Sequence, residues 1–316
     1  MIASDTLERL YADLGSMNAQ AAWPVLGQVN PKDPVPKAVP YVWHYAQMRP
    51  LLERAGRLVS AEDAERRVAM LINPGIGRFP FTTDTIYAGL QLILPGEVAR
   101  AHKHTAFALR FIIEGDSAYT AVGGERVTMH PRDLILTPSF AFHDHGNDSQ
   151  APMVWLDGLD VPLWQSLPAH FTRFFTEDRY PSVAAAPDSD LIYPWADMQA
   201  RLDAGSRPHA VAAYVHRTTG GPISRTIGAQ AERLEAGAAS DARRETASII
   251  YHAVAGSGHT QVGDVRLEWQ PGDTFVIPAW TNYSHVSDPG ETAYLFRYDD
   301  TPLQHALGIY RTTEPE

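Results

Sequence analysis

Hydrophobic and polar residues follow a helical rhythm in the first part of the chain. Residues 42–70 carry apolar side chains at helical spacing, among them Leu51, Leu52, Ala55 and Leu58. Ser60 followed by Asp63 is typical of a capping box, so a second helix is predicted to begin there. The Asn-Pro-Gly sequence at 73–75 then favours a turn and ends this region.

After residue 75 the pattern changes to short apolar or alternating segments separated by turn residues. These segments are TIYAGLQLIL, ALRFIIEG, AYTAV, ERVTM, DLILTP and MVWLDGLDVP. The pair Gly123-Gly124 lies between two alternating segments and predicts a β-hairpin, because glycine adopts the backbone angles of the tightest turns without strain. Many short strands at regular spacing predict a mainly β fold, either a sandwich or a barrel.

The strand-rich pattern occurs twice. The segment between Gly96 and Gly115 has the same length as the segment between Gly237 and Gly256. Three further residues recur at one fixed interval, namely Pro131, Asp133 and Pro138 as Pro271, Asp273 and Pro278. We interpret this as an internal duplication of one β-barrel unit. Coincidental spacing of turn residues is the alternative, since proline and glycine are common at turns.

Proline-rich stretches divide the chain into three predicted regions. Residues 1 to about 40 end in VNPKDPVPKAVP, whose four prolines disfavour regular structure and suggest an arm lying on a neighbouring molecule. A flexible tail is the alternative. The stretch YPSVAAAPDSDLIYP separates the two strand-rich blocks. The predicted regions are an N-terminal arm with helices at 1–75, an N-terminal barrel at 76–185 and a C-terminal barrel at 186–316.

Composition narrows the chemistry that the chain can carry. With 316 residues, 44% hydrophobic and 20% charged, it is a folded protein and not a disordered one. It has no cysteine, which excludes disulfides, thiolate metal sites and cysteine nucleophiles. Any metal must therefore be held by carboxylates and by the 13 histidines.

The charge balance limits the partners. The formal net charge is −11, and because such a field repels phosphate we expect neither nucleic acid nor an anionic membrane as a partner. Near the start, Asp5 and Glu8 stand where a secretory signal would carry cations and an apolar core. No uninterrupted apolar run approaches the length of a membrane-spanning helix. We therefore expect a cytoplasmic location.

Three histidines have the spacing of a metal site. His102 and His104 are separated by a single residue, so on a strand both imidazoles point the same way, about 7 Å apart. His143 lies further along the chain and can supply a third ligand from an adjacent strand. Neutral imidazoles suit iron, zinc, copper or nickel, so the ligands leave the metal open. The alternative is a set of hydrogen-bonded core histidines.

The spacing of these histidines resembles the two cupin motifs, Gly-x5-His-x-His at residues 96–104 and Pro-x4-His-x3-Asn at 138–147. The glutamate ligand of many cupins is absent, with Ala108 and Leu109 at its register. The resemblance implies a mainly β bicupin, with two double-stranded β-helix (jelly-roll) barrels and N-terminal helices. In the second half the ligand positions hold Arg243, Glu245 and Tyr283, so we predict that the C-terminal barrel is metal-free.

Longer stretches resemble the gentisate 1,2-dioxygenase family, whose relatives cleave salicylate, 5-substituted salicylates or 1-hydroxy-2-naphthoate. They include WHYAQMRPLLERAGRLVSAEDAERRVAMLINPG, TIYAGLQLILPGE and WLDGLD, and the resemblance covers about residues 41–300. It implies one Fe(II) per chain in the N-terminal barrel and a homotetramer. It also implies that O2 opens a small aromatic 2-hydroxy acid between its carboxyl-bearing and hydroxyl-bearing ring carbons.

The same resemblance implies roles for individual residues. The iron ligands are His102, His104 and His143, and the substrate contacts are Gln91, Arg110 and His145. Asp157 is expected to support His145, and these two with Arg110 form the catalytic set. Tyr87 and Arg67 are expected in the pocket wall.

The chemistry of these residues agrees with the implied roles but leaves alternatives. Arg110 interrupts an apolar strand, which favours a barrel interior that holds an anion. An internal salt bridge is its alternative. His145 lies close after His143 and can exchange protons with a substrate, or can be purely structural. Gln91 can donate to a substrate oxygen or pair across the sheet.

The functional prediction is therefore an Fe(II)-dependent ring-cleaving dioxygenase with gentisate as the first substrate. The same chemistry on salicylate, on a 5-nitro-, 5-chloro- or 5-aminosalicylate, or on 1-hydroxy-2-naphthoate is the nearest alternative. A non-catalytic bicupin that binds an aromatic acid and a metal-dependent cupin isomerase or lyase are more distant, because cupin barrels carry many chemistries.

Overall fold

The computed structural model describes residues 6–313, apart from the side chains of residues 61 and 62. The residues up to Val35 form one unit, and the chain from Pro36 onward forms a second. The first unit contains helix α1 (Leu7–Ser16) and helix α2 (Leu26–Val29). Helix α1 begins after Thr6, whose hydroxyl accepts a hydrogen bond from the backbone N–H of Arg9.

The second unit is built mainly from strands. Its helices are α3 (Tyr45–Leu58), α4 (Ala61–Ala64), α5 (Val161–Trp164), α6 (Trp195–Asp203) and α7 (Thr301–Ala306). Its strands up to residue 193 are β1 (Tyr41–Trp43), β2 (Arg67–Met70), β3 (Tyr87–Ile93), β4 (Val98–His104), β5 (Ala108–Glu114), β6 (Ala118–Val122), β7 (Glu125–Met129), β8 (Leu134–Thr137), β9 (His143–Gly146), β10 (Met153–Leu159), β11 (Thr172–Phe174), β12 (Val183–Ala184) and β13 (Ile192–Tyr193). The later strands are β14 (His209–Ala213), β15 (Gly228–Leu234), β16 (Arg244–Glu245), β17 (Ile249–Ala255), β18 (Gly258–Val262), β19 (Val265–Trp269), β20 (Thr274–Ile277), β21 (Tyr283–Ser287), β22 (Ala293–Asp299) and β23 (Thr312–Thr313).

These strands form two barrels. The first combines a sheet of order β13-β8-β5-β10-β3-β2 with a sheet of order β11-β4-β9-β6-β7-β12. The second combines a sheet of order β1-β20-β17-β22-β15-β14 with the smaller sheet β19-β18-β21. The predicted mainly β bicupin fold is confirmed.

The second barrel repeats the first in sequence interval and in strand order. Strands β5 and β10 start at Ala108 and Met153, and strands β17 and β22 start at Ile249 and Ala293, so both pairs are separated by nearly the same interval. The order β8-β5-β10-β3-β2 in the first barrel corresponds to β20-β17-β22-β15-β14 in the second. This agrees with the interpretation of the sequence as an internal duplication.

The edge strands of the two large sheets are exchanged between the barrels. Strand β1 precedes the first barrel in the chain but pairs with β20 of the second, while β13 precedes the second barrel but pairs with β8 of the first. The helix after each exchanged strand is capped by the same partner barrel: Asp273 accepts from the backbone N–H of Tyr45, and Asp133 accepts from that of Trp195. The barrels are therefore interlocked, and the divisions at residues 75 and 185 stay predictions.

Residues 42–70 differ in part from the helical prediction. Helix α3 occupies only Tyr45–Leu58, and strands β1 and β2 lie at the two ends of the segment. Their pairing partners, β20 and β3, are distant in sequence, and local spacing does not report such pairing. Leu52 is buried as expected, whereas Leu51 and Leu58 are 55% and 70% exposed, so the predicted apolar face was wrong at these two residues.

Two local predictions are confirmed. Ser60 accepts a hydrogen bond from the backbone N–H of Asp63 and begins helix α4, although this helix has only a single turn. Gly123 and Gly124 form the turn between β6 and β7, with φ of +59° and +99°, and Val122 pairs with Glu125 across it.

The core lies inside each barrel and between them. Phe111 of the first barrel stacks on Phe296 of the second, with 4.3 Å between ring centroids. Across residues 6–313, no helix has both the length and the apolar character needed to cross a membrane.

Candidate active site

The three histidines of the predicted metal site converge inside the first barrel. Strands β4 and β9 are antiparallel neighbours, and His102 lies opposite His143 in their register. The candidate ligand nitrogens of His102, His104 and His143 all lie within 4.8 Å of one another, and all three residues are buried. In the described part of the chain no other cluster of histidine, aspartate and glutamate side chains meets this spacing.

Hydrogen bonds orient each imidazole for metal binding. The Nδ1 atoms of His102, His104 and His143 lie 2.8, 2.8 and 3.0 Å from the backbone carbonyls of residues 100, 106 and 141. Because a carbonyl can only accept, each Nδ1 carries the proton and each Nε2 keeps its lone pair. The Nε2 atoms of His104 and His143 have no other partner within the described residues.

The charge state of the imidazoles also suits a cation. Burial lowers the pKa of His102 to about 3 and that of His104 to about 4, and it lowers the pKa of His143 well below its usual value. All three are therefore neutral at physiological pH, as metal ligands must be. Their donor set fits a divalent transition metal.

A cavity of about 370 Å³ opens beside His104. Besides His104, its polar lining comes from Glu65, Arg66, Tyr87, Gln91, Arg110 and Asp157, and its apolar lining from Ala64, Val68, Met70, Pro80, Leu159 and Val161. Such a mixture of convergent polar groups and apolar walls is typical of a site for a small organic ligand.

Arg110 is the buried cation of this cavity. It lies on β5 directly opposite Asp157 of β10, with 3.4 Å between its Nε and the Asp157 Oδ1, and its Nη1 donates to the Thr137 hydroxyl. Burial lowers the pKa of Arg110 to about 10 and raises the pKa of Asp157 above its usual value. Arg110 is thus still protonated at neutral pH, and its Nε lacks a hydrogen bond within the described residues.

Strand β3 places Tyr87 and Gln91 on the cavity wall. They are an even number of positions apart on the strand, so their side chains emerge on the same face. Gly89 lies between them, and a Cβ at this position would overlap the Tyr87 hydroxyl and the Val68 side chain. The Tyr87 ring can therefore lie along the strand only because residue 89 is glycine.

The structure corrects the expected partner of His145. Its Nδ1 lies 2.9 Å from the Thr120 hydroxyl, and its Nε2 has no partner within the described residues. Asp157 instead pairs with Arg110 and accepts a hydrogen bond from the Trp155 indole at 3.0 Å. Asp157 therefore positions Arg110 and not His145. His145 is fully buried, and its ring lies 5.6 Å from that of His143.

The structure also places Arg67 away from the cavity lining. Its Nε donates to the carbonyl of Val59, and its guanidinium pairs with Glu97. The preceding residue, Arg66, lines the cavity, and its Nη1 lies 3.0 Å from the His102 Nε2. Adjacent residues in extended backbone point to opposite sides, so an error of one position reverses the assignment.

Sequence reasoning missed three polar residues at this site: Arg66, Thr120 and Thr137. Thr120 carried a usable signal, because the pair Thr120 and His145 recurs in the second half as Thr260 and His285, at the interval of the internal repeat. In the second barrel the Thr260 hydroxyl lies 2.7 Å from the His285 Nδ1. Arg66 and Thr137 have no comparable signal, since only the fold brings them to the cavity.

The fold and this geometry define a bicupin with a three-histidine candidate metal centre in its first barrel. The cupin domain family model matches residues 89–160. Gentisate 1,2-dioxygenase 1 of Aquipseudomonas alcaligenes is 34% identical, over 96% of this chain and 95% of that protein. The 5-aminosalicylate 1,2-dioxygenase of a Comamonas species is 35% identical, over 96% of this chain and 89% of its own.

A solved structure gives the same result. The salicylate 1,2-dioxygenase from Pseudoaminobacter salicylatoxidans, determined as an adduct with gentisate, superposes with a TM-score of 0.91. It is 31% identical and covers 99% of this chain and 95% of its own. The chain belongs to the family of gentisate 1,2-dioxygenases and related ring-cleaving dioxygenases.

Proposed function

We propose that this member of the family uses O2 to open a 2-hydroxybenzoate ring between the carboxyl-bearing and hydroxyl-bearing carbons, with gentisate as the preferred substrate. The observation that carries the proposal is that one cavity is lined by both the His104 imidazole and the buried Arg110 guanidinium. A substrate carboxylate and its ortho-hydroxyl require such a pair of neighbours, one cationic and one metal-binding.

In this proposal His102, His104 and His143 hold one Fe(II) per chain. Three neutral imidazoles leave the charge of a divalent ion uncompensated, which favours a dianionic carboxylate and phenolate chelate. When bound, iron supplies the route by which ring electrons reach O2. Support for iron over zinc comes from the relatives, which are dioxygenases, and from the need for a redox-active metal.

Arg110 binds and orients the substrate carboxylate. Its guanidinium is a planar fork that matches a carboxylate, and its contacts to Asp157 and Thr137 fix the side chain before substrate arrives. Gln91 on the same cavity wall donates a hydrogen bond to a substrate oxygen. Arg66 supplies a second cation at the cavity, and its guanidinium, whose Nη1 lies 3.0 Å from the His102 Nε2, would be available to the substrate if that nitrogen held a metal.

His145 accepts a proton from the substrate hydroxyl in this proposal. Burial lowers its pKa well below the usual value, so the imidazole is neutral and a weaker base than a free histidine. Its Nε2 makes no hydrogen bond within the described residues, which leaves that atom for the substrate proton. The Thr120 hydroxyl holds the ring through Nδ1.

Gentisate stands first because its 5-hydroxyl raises the electron density of the ring and makes oxidation easier. The apolar lining from Val68, Met70 and Pro80 keeps salicylate, 5-substituted salicylates and 1-hydroxy-2-naphthoate close behind. Catechols lack the carboxylate that Arg110 binds and are expected to be poor substrates. The homotetramer and the cytoplasmic location stay predictions.

The test is reconstitution with Fe(II) without oxygen, followed by oxygen-electrode assays of gentisate, salicylate, 5-nitro-, 5-chloro- and 5-aminosalicylate, and 1-hydroxy-2-naphthoate. We expect O2 uptake equal to product formed, fastest with gentisate, with catechol as the negative control. Product formation without O2 uptake would indicate an isomerase or lyase. Binding without turnover of any compound would indicate a non-catalytic binding protein.

A further inference from the structure

A second cavity, of about 240 Å³, lies between the two barrels and on the other side of β5 from the active site. Arg110 of β5 lines the first cavity, and the next residue, Phe111, lines the second. The walls are mostly apolar, and an apolar cavity of roughly 150 Å³ is already large enough for benzene. This inter-barrel cavity therefore has room for one substituted aromatic ring.

Arg132 lines this cavity in an unusual backbone conformation. Its φ is +72°, in the left-handed region that is strained for a residue with a Cβ. The equivalent residue of the second barrel is Gly272, where a Cβ would lie 2.8 Å from the Tyr45 ring. Strained residues of this kind persist where the side chain has a use. Arg132 is exposed to solvent at the cavity, and no carboxylate pairs with it in the described residues, so its charge is available to a ligand.

His252 places a polar group against the apolar wall. It is only 2% exposed, its Nδ1 lies 3.1 Å from the Thr274 hydroxyl, and its ring is 5.5 Å from that of Phe111. Burial lowers the pKa of His252 to about 3, so the imidazole is neutral. Its Nε2 makes no hydrogen bond to another described residue and can serve a hydroxyl or another polar substituent.

The remaining charged group of the cavity is paired. Glu114 accepts a hydrogen bond from the Arg49 Nε at 2.6 Å, while the Arg49 Nη1 also pairs with Glu53 at 2.9 Å, so Glu114 has a cationic partner other than Arg132. The inter-barrel cavity thus combines an unpaired cation at one end, apolar and aromatic walls, and a neutral imidazole, all within the described residues. These are the groups that recognise an aromatic ring bearing a carboxylate.

We propose that the inter-barrel cavity is a second, non-catalytic binding site for a small aromatic carboxylate, with the carboxylate on Arg132, the ring against Phe111 and Val254, and a polar ring substituent at His252. The proposed site binds the same class of ligand as the active site, but the two cavities share no lining residue. Its existence does not depend on the proposed reaction.

The test uses 4-bromobenzoate with the metal-loaded protein. We expect calorimetry to give two ligands per chain and anomalous diffraction to place one bromine in the inter-barrel cavity. Arg132→Gly has the residue found at the equivalent turn of the other barrel, so it should fold and bind one ligand per chain. Arg110→Ala should also bind one, but in the inter-barrel cavity.

A second variant, His252→Phe, guards against an effect of Arg132→Gly on the turn. It carries the residue that the first half has at this position, Phe111. It is expected to weaken the binding of 4-hydroxybenzoate, which offers His252 a hydroxyl, about fivefold, as the loss of one hydrogen bond predicts, and to weaken the binding of 4-bromobenzoate less. The proposal is overturned if bromine is found only beside the histidine centre, if Arg132→Gly keeps both ligands, or if the second ligand binds at crystal concentration only.

Discussion

The two barrels share one strand order, but their interior polar groups differ in whether they have partners within the protein. The first carries His102, His104 and His143 at the positions where the second carries Arg243, Glu245 and Tyr283. In the second barrel each of these three side chains has a partner within the protein, although the Arg243 Nε itself makes no hydrogen bond within the described residues. Arg243 pairs with Glu232 at 2.8 Å, the Tyr283 hydroxyl donates to Glu245 at 2.8 Å, and Arg297 pairs with Glu245 at 2.9 Å.

In the first barrel the equivalent groups are left available. The Nε2 atoms of His104 and His143 have no partner within residues 6–313, and Arg110 keeps an unused N–H. Buried polar groups without partners cost stability, whereas a closed network of buried charges satisfies itself. The same cupin frame can therefore hold either a binding site or a purely structural interior. Which of the two it holds depends on whether the interior polar groups pair with one another.

One element is common to both barrels. Thr120 holds His145 in the first barrel, and Thr260 holds His285 in the second, although the second lacks the histidine ligands. The threonine and histidine pair is therefore part of the shared frame. Its use in proton transfer, as proposed for His145, depends on the neighbours of its free Nε2 and not on the pair itself.

The largest expected effect is the loss of a metal ligand in the first barrel. His104→Ala should reduce O2 uptake to background while the protein stays folded, because two remaining imidazoles hold a metal weakly. Metal analysis, circular dichroism and the oxygen electrode measure the three quantities. One iron per chain together with full activity in this variant would remove His104 from the site.

The matched change in the second barrel should affect stability and not metal content. Glu245→Ala leaves the buried Arg297 with Asp299 as its remaining carboxylate partner, and the loss of hydrogen bonds to a charged group lowers the free energy of unfolding by about 1.5–3 kcal/mol. Urea unfolding and metal analysis of the folded fraction check this. If the folded variant lost its metal, the second barrel would have to contribute to the metal site after all.

Removing the buried cation beside the histidines should reduce catalysis without removing the metal. Arg110→Ala is expected to raise KM and to lower kcat, for a combined loss of about 100-fold in kcat/KM, because the lost contact both binds and orients the carboxylate. Steady-state kinetics with gentisate and with salicylate measure the loss. Wild-type kinetics with both substrates would make Arg110 a purely structural ion-pair residue.

His285, one of the buried histidines of the second barrel, should make the protein sensitive to acid. Burial lowers the pKa of His285 to about 3, so between pH 6.5 and pH 3 the unfolded chain binds a proton that the folded protein does not. Stability therefore falls as the pH falls, by about 2 kcal/mol from pH 6.5 to pH 5 for this one residue. His285→Gln should reduce the fall in the unfolding free energy between pH 6.5 and pH 5 by that amount. An unchanged fall would contradict the assignment.

The smallest expected effect is on the element that the barrels share. Thr120→Val and Thr260→Val each remove the partner of an imidazole Nδ1 and should each lower the free energy of unfolding by about 1–2 kcal/mol. Thermal unfolding of both variants measures the two values. Only Thr120→Val should also lower kcat, and equal activity of the two variants would show that His145 has no part in proton transfer.

Several structural features of this protein can be predicted from local patterns in the sequence. The spacing of His102, His104 and His143 predicts their convergence, because alternate positions along a strand return to the same face. The double glycine at 123–124 predicts its hairpin, since few other residues tolerate those backbone angles. The repeated spacing of glycine and proline in the two halves predicts two equivalent barrels. In each case the determining residues lie close together or recur at a fixed interval.

The contacts between distant segments are determined only by the tertiary structure. The exchange of β1 and β13 between the barrels, the choice of Arg66 over Arg67 at the cavity, and the pairing of Asp157 with Arg110 each join residues far apart in the chain. Strand pairing and ion pairing over such distances depend on which surfaces meet when the barrels pack. Local propensity carries no information about which surfaces meet. Sequence pattern therefore determines the frame and the convergence of the three histidines, and packing determines the partners of the polar groups around them.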